Sequence, residues 1–171
     1  RKLYFYSTEM TIISTASKPE TTAWVKELGA HHVINHREPI AAQVAALGLG
    51  APGFVLSTNG TAGHLPEIAS LIAPQGRFAP VDVAGQVDLQ PFGMKSVSIQ
   101  NFTMFTRPMF RTPDMHVQGE ILNKVAKLVD AGKINSTVTD VLGKIDAATL
   151  RRAHIQIESG KTRGKIVLEG F

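Results

Sequence analysis

The sequence predicts an α/β fold built on a doubly wound, parallel sheet. β-Branched runs of strand length alternate five times with segments of helical period. The connections between them are short, as in βαβ units whose helices cover both faces of a parallel sheet. At 171 residues, 43% hydrophobic and 19% charged, the chain carries enough apolar side chain to bury a core.

The first ten residues, RKLYFYSTEM, stand apart. Tyr4, Phe5 and Tyr6 sit in LYFYS, which resembles the LYFQS remnant of expression tags, so the segment is either tag-derived or a short native strand. From Thr11, TIISTAS reads as a strand. Ser17-Lys18-Pro19-Glu20 then has the form of a capping box, with Pro in the first helical turn. Trp24, Val25 and Leu28 lie at helical spacing, and Gly29 supplies the stop. His32 to Asn35 predicts a strand, Pro39 to Leu47 an Ala-rich helix, and Gly53 to Ser57 an apolar strand. Leu65, Ile68, Leu71 and Ile72 line one face of the next helix, where Pro66 is tolerable only near the start. Strands follow at Gly76 to Val81 and Ser96 to Gln100.

Thr112-Pro113-Asp114 opens the clearest helix, with Val117, Ile121, Val125, Leu128 and Val129 as its apolar stripe and Gly132 at its end. A strand at Thr137 to Leu142 precedes a helix capped by Asp146. Leu150, Ala153 and Ile157 face inward, and Ser159-Gly160 ends it. Gly164 to Glu169, GKIVLE, is the last strand.

Composition excludes several function classes. The absence of Cys rules out a disulfide framework, a thiolate zinc site and a Cys nucleophile within these residues. The net charge is +4, but the 18 Lys and Arg are scattered, with no basic stripe of the kind that binds nucleic acid. No apolar run reaches the roughly 18 residues of a membrane span, and no signal peptide is expected. A soluble, cytoplasmic protein without membrane or nucleic-acid partners is expected. His31, His32 and His36 do not make a metal site, because adjacent residues of a strand point to opposite faces. No G-x-x-x-x-G-K-[ST] phosphate loop occurs, nor a G-x-S-x-G elbow.

In doubly wound sheets ligands bind beyond the carboxyl ends of the strands. The first strand ends in Ser17-Lys18, where a fold that takes NAD would place an acid for the ribose diol. A hydroxyl followed by an ammonium suits a 2′-phosphate instead, and the helix N-terminus adds to the attraction. The alternative is that Ser17 merely caps the helix and Lys18 is solvated. The second strand ends in Asn35-His36-Arg37, where His36 suits a purine face and Arg37 an anion, or both sit in an ordinary turn. Thr58-Asn59-Gly60 ends the third, small enough for close ligand approach but also common turn chemistry. A phosphoacceptor receiver needs acids at these ends, where Ser17, Asn35 and Thr58 stand. Lys161-Thr162-Arg163-Gly164-Lys165 is a basic cluster that is either a solvated turn or a contact to an anionic cofactor.

In order and spacing, TIISTASKPET, ELGAHHVINH, EIASLIAPQGRFAPVD, MFTRPMF and the terminal ESGKTRGKIVLEGF resemble the medium-chain dehydrogenase/reductase superfamily, in its zinc-type alcohol dehydrogenase-like and quinone oxidoreductase-like branch. The resemblance covers all but the first ten residues. It implies the C-terminal, coenzyme-binding half of such an enzyme: an incomplete Rossmann-type sheet lacking its first strand and Gly-rich turn. A C-terminal strand-helix-strand would return to the catalytic domain. The implied division is 1–10 as a tag-like or irregular segment, 11–136 as a partial NADP-binding domain, and 137–171 as part of a GroES-like catalytic domain. The implied activity is hydride transfer between NADP(H) and a carbonyl, enone, quinone or alcohol, in a homo-oligomer. A nucleotide-binding or structural module without catalysis is the alternative. By resemblance, Ser17 and Lys18 hold the 2′-phosphate, His36 and Arg37 the adenine side, and Thr58 and Asn59 the ribose region. Phe105 and Arg107 fall near the nicotinamide, and Lys165 in the closing Gly-Lys pair. Zinc ligands would lie outside this chain, and no catalytic residue is assigned within it.

Overall fold

A computed structural model describes residues 10–82 and 85–170, so the tag-like segment 1–9 lies outside the described residues. Strand Ile13–Thr15 (β1) runs into helix Pro19–Glu27 (α1), strand His32–Ile34 (β2) and helix Ile40–Ala46 (α2). Phe54–Ser57 (β3), Thr61–Leu71 (α3), Arg77–Pro80 (β4), Gln90–Gly93 (α4) and Ser98–Ile99 (β5) follow. Thr106–Phe110 (α5) and His116–Asp130 (α6) lead to the closing unit, Val138–Lys144 (β6), Ala147–Glu158 (α7) and Lys165–Glu169 (β7).

Every strand pair is parallel, as short crossovers through helices require. The ladders are β1-β2, β3-β4-β5 and β6-β7. Among the described residues no ladder joins β1 to β3. In the order 3-2-1-4-5-6 that is the place of the first strand, so the gap falls where the sequence resemblance put it. The core lies on one side of these strands, where Ile34, Ile40, Val44, Leu65, Ile68, Ala69, Ile72, Phe78 and Phe92 pack together. The opposite side of β3 is bare: Phe54 and Leu56 are 66% and 64% exposed.

Local expectations are corrected in α1, α3, α6 and α7. Ser17 does not cap α1; Lys18 holds the N-cap position in extended conformation without a side-chain bond. Pro19 sets that register, since its missing N–H is harmless only at the first helical position. Pro66 lies inside α3 rather than near its start. The carbonyl it leaves without an N–H partner belongs to Ala62, which is exposed. Helix α6 begins at His116, two residues beyond Thr112-Pro113-Asp114. Its apolar stripe is not buried, for Ile121, Val125 and Val129 stay 51%, 41% and 38% exposed. On α7 only Ala153 is buried, and Leu150 and Ile157 remain exposed. The periodicity marks a face able to pack, and no described element covers it.

The closing unit depends on Gly164. It sits at φ 68°, and a Cβ there would run into the Thr137 carbonyl and lie 2.6 Å from Thr139 Cγ2. That carbonyl accepts the first bond of the β6-β7 ladder, from the Lys165 N–H at 2.8 Å. Gly164→Ala should therefore destabilise the protein by about 1–3 kcal/mol, read as a lower urea midpoint with unchanged slope. An unshifted midpoint would contradict this account of the turn.

Candidate functional site

Two cavities open at the positions singled out above. The first, about 480 Å³, lies between the head of α1 and the closing unit. Lys18, Glu20 and Thr21 line one side; Asp140 of β6, Gln156 of α7 and the turn Lys161-Thr162-Arg163 line the other. The turn is braced by the Thr162 hydroxyl, which donates to the Gln156 carbonyl at 2.9 Å. Arg163 lies over Trp24 of α1, 5.7 Å from the ring centroid, and thereby ties the two units together. Gln156 Nε2 donates to Asp140 at 3.3 Å, so one of the two lining acids is already engaged. Three cations thus face two carboxylates across an open cavity, an arrangement that favours an anion.

The second cavity, about 350 Å³, follows the gap between β1 and β3. Its floor is apolar, with Ile34, Ile40, Val44 and Ile68, and its mouth is polar, with His36, Ser57, Thr58 and Asn59. Gln43 fixes the end of β2 on this side: its amide accepts from Asn35 N–H and donates to Asn35 C=O, both at 2.9 Å. Gly60, at φ 68°, turns the chain from β3 into α3.

The structure therefore brings His36, Thr58 and Asn59 to one cavity and Lys18 to the other. Ser17 and Arg37 line neither. Arg107 is bound to Asp114, Nε to Oδ2 at 3.0 Å, which braces the approach to α6. Phe105 is exposed at the N-cap of α5. Lys165 lines a third, smaller hollow beside Ile157 and Gly160. Lys161 and Arg163 share the cavity of Lys18. Their basic cluster was the visible signal, but only the fold joins it to residue 18.

Three carboxyls sit below their ordinary value of 3.8. The Thr61 hydroxyl lowers Asp82, the Thr112 hydroxyl and then Arg107 lower Asp114, and the Thr149 N–H lowers Asp146, the cap of α7. A carboxyl with a depressed folded pKa stabilises fully above its unfolded value and loses that contribution as pH falls through the folded one. The melting temperature should thus hold steady at mildly acidic pH and fall below pH 3.8. Replacing all three with Asn should flatten that fall; an unchanged profile would contradict the assignment.

Residues 28–168 match the family model of zinc-binding dehydrogenases. A zinc-type alcohol dehydrogenase-like protein of Staphylococcus aureus is 31% identical over 160 residues, covering 93% of this chain and 48% of that protein. A crystal structure from Rhizobium etli CFN 42, assigned as a zinc-dependent alcohol dehydrogenase protein, is 58% identical with a TM-score of 0.90. It is matched over 96% of this chain and 48% of its own. A mycobacterial protein complexed with NADPH shares the fold at 23% identity and TM-score 0.74, over 92% of this chain and 48% of its own. An NAD-dependent alcohol dehydrogenase does so at 24% and 0.73, over 93% and 43%. The chain spans about half the length of these relatives. With a parallel α/β architecture interrupted at one strand position, and a family match running from just after α1 into the last strand, the chain belongs to the zinc-binding dehydrogenase family.

Proposed function

We propose that this chain is the coenzyme-binding half of an NADP(H)-dependent oxidoreductase acting on a small carbonyl, enone, quinone or alcohol. The observation that carries the reading is the first cavity, where Lys18, Lys161 and Arg163 meet beside a strand end bearing Ser17 instead of an acid. A 2′-phosphate is a dianion and suits this cluster, whereas a bare ribose diol would ask for a carboxylate. His36, Thr58 and Asn59, at the mouth of the second cavity, suit the adenine and ribose portions. Solved relatives of the same fold include both an NADPH complex and an NAD-dependent enzyme, which supports a nicotinamide cofactor and leaves the choice to the cation cluster.

When bound, the nicotinamide supplies the hydride; these residues hold and orient it. The family's name implies zinc, but the described residues contain no group of three His, Cys, Asp or Glu able to hold a metal, and the sequence has no Cys. The described residues do not fit that ion. Residues 11–136 serve as the nucleotide-binding portion and 137–171 as part of the catalytic domain in this proposal, within a cytoplasmic homo-oligomer. Among the described residues, no helix is long and apolar enough to cross a membrane.

The open sheet positions beside β1 and β3, with Phe54 and Leu56 bare, favour association through strand edges. Sedimentation should show a dimer or larger species, and a cooperative monomer would refute that part. The activity is tested by NADPH oxidation with a panel of quinones, enones and aldehydes. It should appear in protein carrying the rest of the relatives' length and be weak or absent in this chain alone. A nucleotide-binding module without catalysis would bind NADPH and turn over nothing in either form.

A further inference from the structure

On the nucleotide reading above, we infer that Trp24 is a positioning residue of the first cavity: its ring holds the Arg163 guanidinium there and so sets the affinity for a 2′-phosphate. Trp24 lies half-buried on α1, six residues beyond Lys18. Lys18 and Arg163 line the cavity, whereas Trp24 does not. The Arg163 guanidinium stands 5.7 Å from the centre of the Trp24 ring. One helix thus serves two cations of the cavity, carrying Lys18 at its head and bracing Arg163 from its side.

Arg163 needs such a brace because its other contacts fix only its backbone. Its carbonyl accepts from the Thr139 hydroxyl of β6, and Gly164 then turns the chain into β7. The side chain is exposed, and among the described residues no carboxylate pairs with it. Asp140, the acid of β6 that lines the same cavity, takes the Gln156 amide instead. An exposed arginine without an anchor spreads over many rotamers, and ordering it at a ligand costs affinity.

A ring is a different kind of anchor from a carboxylate. Its face attracts the guanidinium charge but offers no oxygen, so the N–H donors stay unspent and the charge is not neutralised. A carboxylate would hold Arg163 as firmly but would occupy the fork of donors that a phosphate needs. The cation therefore meets the dianion already ordered and with its donors available. Trp24 acts through Arg163 alone, so its effect is confined to the 2′-phosphate and vanishes when Arg163 is removed.

The test is an NMR titration of the full 171-residue chain with 2′,5′-ADP and with 5′-AMP, which lacks the 2′-phosphate. Trp24→Leu keeps apolar bulk without a ring, and Trp24→Phe keeps a ring. Trp24→Leu should weaken 2′,5′-ADP roughly three- to tenfold and leave 5′-AMP unchanged, while Trp24→Phe should retain most of the affinity. In an Arg163→Gln background, Trp24→Leu should cost nothing further. Should Trp24→Leu fail to fold, the unsubstituted chain decides: cross-relaxation between Trp24 and Arg163 side-chain protons should persist with 2′,5′-ADP bound. Loss of that contact on binding would overturn the inference. So would Trp24→Leu leaving 2′,5′-ADP untouched, weakening both probes alike, or adding its full loss to that of Arg163→Gln. Equal affinity of the unsubstituted chain for the two probes would instead overturn the nucleotide reading beneath it.

Discussion

Replacing Lys18 with Glu should abolish the preference for NADPH over NADH or reverse it. Lys18 contributes the ammonium at the head of α1, where the first peptide N–H groups and the helix dipole already favour negative charge. One charge-assisted contact to a phosphate is worth about 1.5–3 kcal/mol, roughly 10- to 150-fold in affinity. A carboxylate in its place adds repulsion and presents an acceptor to the ribose diol of NADH. Lys161 and Arg163 line the same cavity, so Lys161→Glu should act in the same direction. Because both act through charge, the loss should shrink as salt is raised. Equal affinity for the two cofactors before substitution would remove the basis of the prediction.

Phe78→Ala should bring the protein close to unfolding. Phe78 sits in the middle ladder, opposite Val55 of β3 and Ile99 of β5. Its ring stacks on Phe92 at 5.2 Å between centroids, and each residue is 1% exposed. Truncating a buried Phe costs about 3–5 kcal/mol through lost transfer energy and the cavity left behind. Domains have only about 5–15 kcal/mol in reserve, so this loss is a large share of the whole. The urea midpoint should fall steeply, whereas Phe78→Leu should fall by much less. A midpoint unmoved in Phe78→Ala would mean that the stability resides elsewhere.

The strands were legible because β-branched and aromatic residues cluster between Gly and Pro, as at Phe54–Ser57 and Lys165–Glu169. The gap was legible only through the family resemblance, since nothing in the residues of β1 or β3 marks an unpaired edge. Periodicity found the stripe of α6 but not its exposure, because a pattern names the packing face and not its partner. The same limit explains Ile157 on α7. The cap of α1 was misplaced by one residue because the Ser-x-x-Glu pattern and Pro19 compete, and the fixed ring of Pro19 prevails. At the site, Lys18 was visible from its place at a strand end. Its meeting with Lys161 and Arg163 spans most of the chain and leaves no local signature. The bond from Thr61 to Asp82 joins residues 21 apart, on different elements, and only the parallel register of β3 and β4 brings them together.

The central claim is that the first cavity recognises a 2′-phosphate, and titration of 2′,5′-ADP against 5′-AMP tests it most directly. The two probes differ by that one group, so the comparison is independent of the nicotinamide end and of any catalytic step. The account predicts that 2′,5′-ADP binds at least about tenfold more tightly, with shifts at Lys18, Lys161 and Arg163 and a difference that shrinks as salt is raised. Equal affinity for the two, or shifts confined to residues away from that cavity, would contradict it.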